Sequence, residues 1–588
     1  MQEEIKKIKK KISDLKTYFD NYWRPYYLDL AEYIYPARSL FLDARNDIAT
    51  KKGADKSEYD RLKDNSGTVA MELASAGIYS GLTPPAKKWG LFRLREDSAD
   101  DIKINKSPEV LEAFQRAEVL FFGLCRRSKF YDMLRVAYMD ILTFGTCCIS
   151  VEPYEVELAN LEQKEEKGML SAEPPKTDRG LICRNIPPGE YLLEENHRGE
   201  VDTVIRLFAL TSRNVVALFG LDNVSMAVKQ NLQNGSDNLV TIAHFVAPNK
   251  KWDDSFYDSS VKKKFVSIYF EYESQEPLKP LRVSGFDIFP YVTARDLVMG
   301  GEPYGRGLGM KALPDIKMLQ SMTIDKLTAI NKIVDPPLQV DSSLLNERVN
   351  TNPGAINYVP NVQGAGAAIT PLYNVNVDLD KLETMIYNTK KNIERTFFTD
   401  LFLMLSGETI KRNVTAAEVV AKQQEKAEAI GPLIERLIPE LILPTVNIIL
   451  SIMRDWGYFN DFPESTAGKE VEVELISVLA QAQKYSDAAL IEQAIAFTNG
   501  VATLDPNVRF KIRGDGAVSA YVNAIGAPAT MIVGDEEYAD KIEEQAQLIN
   551  ANQTAQMAEQ MGRASQSLSA AKTGDDNMLT GLLGGQQG

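Results

Sequence analysis

The chain has 588 residues, 81 of them acidic and 66 basic, for a formal net charge of −15. That length calls for several packed regions, and the charge excludes a protein that grips nucleic acid by neutralising phosphates over its whole surface. Hydrophobic residues at 44% and charged residues at 25% describe a folded chain and not a disordered one, while four cysteines without a C-x-x-C spacing and only two histidines argue against structural zinc.

Ile5, Ile8, Ile12, Leu15, Phe19 and Tyr22 recur at three- and four-residue steps, which predicts an opening helix with one apolar stripe. Lys6, Lys7, Lys9, Lys10 and Lys11 then form its solvated side, and no apolar core is present there to direct export. The helix is expected to end or kink at Arg24-Pro25, resume to Tyr35 and stop at Pro36. An Ala- and Gly-rich helix follows over Asn65–Ser80, closed by Gly81-Leu82-Thr83-Pro84-Pro85 with Trp89 as an anchor. Pro108 opens another to about Arg126, and Phe130–Phe144 gives one more. After Gly145 the composition turns to β-branched and aromatic residues. Strands are expected at Tyr191–Leu193, Thr203–Leu210, Val240–Val246 and Phe265–Tyr272, with one helix, Ser212–Phe219, inserted and Ser212 as its cap. Cys125, Cys147, Cys148 and Cys183 read as reduced thiols, the adjacent Cys147 and Cys148 as small buried apolar residues.

From Gly300 helix returns. Leu313, Ile316, Leu319, Leu327, Ile330 and Ile333 mark one face of a helix that Asp335-Pro336-Pro337 terminates. Asp335–Asn376 is a long stretch of Pro, Gly and Asn, a length that in a compact domain signals a functional projection. Leu382, Ile386, Ile393, Phe397 and Leu401 build the next helix, with Asp378, Asp380 and Glu383 at its start and Lys390, Lys391 and Arg395 farther along, as its dipole favours. After Leu403–Asn413, Thr415 and Glu418 form a capping box for a long helix to Trp456, kinked by Pro432, Pro439 and Pro444. Its apolar stretch Leu437–Met453 reads as a buried, proline-broken helix and not a membrane span. Val471 to about Gln547 is expected to be helical, and the Gln-, Ala-, Ser- and Gly-rich tail beyond it disordered or ordered by a partner. The fold class is α+β, dominated by helix.

Catalytic motifs are absent. Gly305-Arg306-Gly307-Leu308-Gly309 lacks both the last glycine of a dinucleotide fingerprint and the Lys-Ser/Thr of a P-loop, and reads as a tight turn into a packed helix. His197 and His244 stand outside any nucleophile motif. No enzyme, cofactor or metal is expected.

Several ordered segments together resemble the head-to-tail connector, or portal, family of short-tailed phages. They are Leu82-Thr83-Pro84-Pro85 with Trp89; Phe144-Gly145-Thr146; Gly199 with Val201-Asp202-Thr203-Val204 and Arg206; and Phe289-Pro290-Tyr291 with Arg295. Tyr304-Gly305-Arg306-Gly307 with Leu313-Pro314-Asp315-Ile316-Lys317, then Pro336-Pro337, and finally Ser477-Val478-Leu479-Ala480-Gln481-Ala482-Gln483 complete the set. The resemblance implies a dodecameric ring with wing, stem, clip and crown, set at one capsid vertex of the virion and assembled in the host cytoplasm. On this chain the wing corresponds to 1–300, the first stem helix to 301–334, the clip to 335–376 and the second stem helix to 377–402. The tunnel loop corresponds to 403–413, the long kinked wing helix to 414–456, the crown to 457–547, and a barrel helix or disordered tail to 548–588. Expected partners are double-stranded DNA in the channel, the terminase large subunit, tail adaptor or nozzle proteins, scaffold and major capsid protein, with no membrane.

Within that frame the candidate stem and channel residues are Asp378, Asp380, Glu383, Lys390 and Lys391. Lys411 and Arg412 in the tunnel loop either touch the phosphates of passing DNA or pair with Glu408 or a neighbouring subunit. Asn352, Tyr358, Asn361 and Gln363 are the candidate clip contacts for motor and adaptor. The alternative is another ring-forming virion component, such as a tail adaptor or internal core protein.

Overall fold

The structure is a computed structural model. It describes residues 2–42, 61–157, 177–249, 261–340, 369–371, 378–400, 431–476, 491–501, 508, 511, 514–525 and 535–570, apart from 97, 99–100, 102–103, 106, 237, 275–278 and 467. The chain divides into two compact units, Met1–Ser486 and Asp487–Gly588.

In the first unit α1 (Gln2–Tyr22) buries Ile5, Ile8, Ile12 and Phe19. Pro25 then takes the early helical position where a missing N–H is tolerated, at the start of α2 (Arg24–Tyr33). α3 (Ser66–Leu82) is closely packed, because a Cβ on Gly67 would stand 2.7 Å from Ile316 Cδ1. β1 (Gly90–Leu94) carries the buried Trp89 just ahead of it. α4 (Pro108–Arg127) starts on a Ser107 cap to Val110 N–H, and α5 (Phe130–Phe144) stops at Gly145, whose φ of 76° suits glycine. All four cysteines are free and buried, and burial pushes their thiols up, as expected of inert apolar residues.

β2 (Thr146–Glu157) is the centre of a three-stranded antiparallel sheet between β3 (Thr177–Ile186) and β9 (Tyr291–Arg295). A five-stranded antiparallel meander runs β4 (Tyr191–Glu195), β5 (Val201–Thr211), β6 (Leu239–Pro248), β7 (Phe265–Glu271) and β8 (Arg282–Phe286). Between β5 and β6 lie two helices, α6 (Ser212–Phe219) and α7 (Met226–Gln233), where the sequence suggested one. The cap of α6 is Thr211, which accepts from Asn214 N–H; Ser212 is instead buried and bonds Asn238 O.

α8 (Leu308–Val334) and α9 (Leu379–Thr396) pack together as a hairpin whose connection opens with the antiparallel pair β10 (Leu338–Val340) and β11 (Ile369–Pro371). α10 (Gly431–Asp455) is not broken by its prolines. Pro439 and Pro444 have no N–H to donate, and a wider π turn over Ile438–Ile442, closed by Leu443 N–H to Ile438 O, carries the helix past them. By length and composition α10 could cross a membrane, yet 56% of its apolar window is buried inside the protein.

Val471–Leu475 is β12, not helix. It pairs antiparallel with β1, placing Glu472 opposite Arg93, and Arg93 also reaches Glu474 at 3.1 Å. The far edge of β1 is closed by side chains: Phe92 N–H donates to Glu118 Oε1 (3.0 Å), and Asn105 exchanges two hydrogen bonds with the Leu94 backbone. In the second unit α11 (Gly514–Ile525) and α12 (Asp535–Ala570) continue helix well past Gln547.

Candidate functional site

Four of the segments quoted above, those holding Gly145, Gly199, Arg295 and Gly305, converge on one junction at the root of the α8–α9 hairpin. The helix α5 ends against the turn that starts α8. Added Cβ atoms would meet Gly145 O at Gly305, Gly145 N (2.6 Å) at Gly307 and Thr143 O (2.5 Å) at Gly309. The glycine run is therefore a close-packing device, as the tight-turn reading expects. Thr146 Oγ1 accepts from Gly305 N–H (2.8 Å), and the Tyr304 hydroxyl is 3.3 Å from Leu193 N–H. Arg295 forms an ion pair with Glu195 and donates to Gly199 O (2.7 Å), while its own backbone N–H donates to Glu440 Oε2 (2.7 Å) in the π turn of α10. Beside it, burial raises the Asp296 carboxyl to about 6, against the pull of Lys311 and Arg436.

Outward from this root the hairpin meets its last anchors. Lys317 Nζ pairs with Asp29 (2.6 Å) on α2, and Gln320 Oε1 accepts from Lys63 N–H (2.8 Å) and Asp64 N–H (3.1 Å). Lys390 Nζ on α9 lies 2.6 Å from Asp64 Oδ2. Met322 on α8 and Thr389 on α9 are the outermost buried residues. Past them, among the described residues, the two helices stand clear of the body, held to each other by Lys326–Glu383 (3.2 Å) and exposing Ile324, Leu327, Ile333, Val334, Met385 and Tyr387.

The family model described as bacteriophage head to tail connecting protein matches residues 5–533. The chain belongs to that family. The portal protein of Salmonella phage epsilon15 is 31% identical over 586 residues, covering 99% of this chain and 98% of that protein. The probable portal protein of Bordetella phage BPP-1 is 27% identical over 581 residues, covering 98% of both. A chain from the virion of a native gene transfer agent particle aligns at 10% identity over 74% of this chain and 86% of that one, with a TM-score of 0.28, too low to support an argument.

In this connector the candidate channel charges fall on α9 or at its cap. Asp378 caps the helix by accepting from Lys381 N–H (3.2 Å) and pairs with Lys381 Nζ (3.0 Å), and Asp380 follows in the exposed first turn. Glu383 joins Lys326, Lys390 joins Asp64, and Lys391 Nζ sits 4.7 Å from the centre of the Tyr387 ring. Glu408, Lys411, Arg412, Asn352, Tyr358, Asn361 and Gln363 lie outside the described residues. Asp64, Gln320 and Arg295 carried no positional signal that set them apart, except that Arg295 sits in a family-like segment. Among the described residues no group of three or more His, Cys, Asp or Glu side chains could hold a metal ion.

Proposed function

We propose that the protein is the portal of a tailed phage: a ring of copies at one capsid vertex, through which double-stranded DNA enters and leaves. The observation that supports the ring is the fate of one helical stripe. Ile316 and Leu319 on α8 are fully buried, but Leu327 is 51% and Val334 77% exposed. Eleven and eighteen residues on from Ile316, at about 100° per residue, these two return to within about 20° of the same face. A face that carries apolar residues along its length, interrupted at Gln320 and Thr323, and is covered along only half of it is what a neighbouring copy's hairpin would complete.

Side by side in a dodecamer, α8 and α9 form the stem, the segment joined to β10 and β11 forms the clip, and the loop 403–413 faces the tunnel. The clip meets the terminase large subunit during packaging and the tail adaptor afterwards; the wing meets scaffold and capsid protein. The chemistry is passive, and a separate motor supplies the energy. An acidic chain suits a conduit, since a lining rich in lysine would hold the duplex by counterion release, whereas net repulsion lets it slide. Screening over about 8–10 Å confines that repulsion to the inner wall. In that setting Lys411 and Arg412 would be transient phosphate contacts, and neutralising both while measuring DNA retention in filled heads tests that role. Electron microscopy of the purified protein tests the whole reading: rings near twelve-fold symmetry with an axial hole support it, and a folded monomer or a ring without a channel opposes it.

A further inference from the structure

The point where the hairpin leaves the body is built around a single carboxylate. Asp64 Oδ1 accepts from Ser66 N–H (2.8 Å) at the start of α3, and Oδ2 pairs with Lys390 Nζ (2.6 Å) on α9. Its backbone is held by Gln320 of α8, whose Oε1 accepts from Asp64 N–H and whose Nε2 donates to Asp64 O (2.5 Å). One residue thus touches α3, α8 and α9 at once. Both hairpin partners lie within two residues of the outermost buried positions, Met322 and Thr389. The Asp64 and Lys390 side chains are only 11% and 37% exposed, so the pair is partly shielded from water.

We propose that Asp64 is the positioning residue of the hairpin, fixing the angle at which α8 and α9 leave the body. The lever is long. Val334 lies about 21 Å beyond Gln320 at 1.5 Å per residue, so a change of about 10° at the exit moves the tip by about 4 Å. Lys317–Asp29 restrains α8 alone, whereas Asp64 restrains both helices and holds them to the same point of α3. If the portal reading holds, on which this consequence rests, the angle sets the width of the channel at the stem.

The test separates positioning from folding. Lys390→Met removes the ion pair but leaves the Asp64–Ser66 and Asp64–Gln320 contacts in place, and Lys390→Arg keeps a cation within reach. Spin labels are placed at Asn331→Cys on the tip and Val119→Cys on the exposed side of α4; the four native cysteines are buried and escape labelling. Labelled chain is diluted into unlabelled chain, and the intrachain distance is read by pulsed dipolar spectroscopy alongside the melting curve. Asn331 lies about 16 Å beyond Gln320, so we expect Lys390→Met to shift or broaden the distance by about 3 Å with little change in melting, and Lys390→Arg to restore it. An unchanged distance in Lys390→Met, or equal shifts in both variants, overturns the proposal. The distance is read whether or not rings form, so failure of the portal reading shows separately, in the micrographs.

Discussion

The body and the outer half of the hairpin use the same kinds of residue to opposite ends. In the body, apolar stripes close on themselves: α1 covers its isoleucines, and Phe19, Trp23, Tyr27, Phe144, Tyr191 and Tyr304 gather into one aromatic cluster. Past Met322 the stripe of α8 continues in sequence but is left exposed at Leu327, Ile333 and Val334 among the described residues. Charges follow the same division. Arg38 and Asp140 form a bidentate pair (3.0 and 2.8 Å) with side chains 11% and 1% exposed, whereas Lys326–Glu383 on the hairpin is 29% and 67% exposed. The body covers its apolar stripe within the chain, and the outer hairpin leaves Leu327, Ile333 and Val334 exposed.

The largest effect that could break this contrast is at the buried pair. Burial pushes the Asp140 carboxyl up and the Arg38 guanidinium pulls it back. Asp140→Ala, leaving Arg38 without its anion, should cost about 3–5 kcal/mol in denaturant melts. Ile316→Ala, at the covered half of the stripe, should cost about 2–5 kcal/mol. Leu327→Ser, at the open half, should change the monomer's stability by less than about 1 kcal/mol while weakening association. If Leu327→Ser unfolds the monomer as Ile316→Ala does, the two halves are not different in kind.

Acid sharpens the same contrast. His244 is buried, stacked 3.8 Å from Tyr269 and bonded to Tyr291 Oη (2.6 Å) and Ser267 Oγ (2.9 Å). Burial, with Arg206, Arg184 and Arg282 nearby, holds it well below its usual value. The unfolded chain therefore binds the proton first, and stability present above about pH 6.5 is lost as pH falls below it. Asp296, raised to about 6, works the other way, since the folded state takes its proton first and gains stability as pH falls from about 6 toward the unfolded value. Melting of His244→Gln between pH 7.5 and 5 should show a smaller acid loss than the wild type. An identical slope would remove His244 from the account. The smallest effect is Lys326→Ala, below about 1 kcal/mol for an exposed pair.

Much of this was legible where the signal is local. Pro25, Pro36 and Pro336 mark helix limits through φ restriction and missing donors, Gly145 through its tolerance of positive φ, and the glycines at 305–309 read as a tight turn. What stayed hidden depends on distant partners. Val471–Leu475 alternates Val and Glu, a two-residue period, but its pairing strand lies some 380 residues upstream and leaves no mark nearby. Pro439 and Pro444 argue for a break, and only the packing of α10 in the core makes a π turn the cheaper solution. Lys390 reads as a dipole-matched helix cation, and nothing in its neighbourhood announces Asp64. Leu327 and Ile316 have the same periodicity, so sequence assigns them one face without saying that only Ile316 is covered within the chain.

The measurement that bears most directly on that last point is single-particle electron microscopy of the wild type and of a Leu327→Ser, Val334→Ser double variant, at equal concentration and with melting curves matched. The account predicts channel-bearing rings for the wild type and folded single chains for the variant. Rings of equal yield and symmetry in both would contradict it.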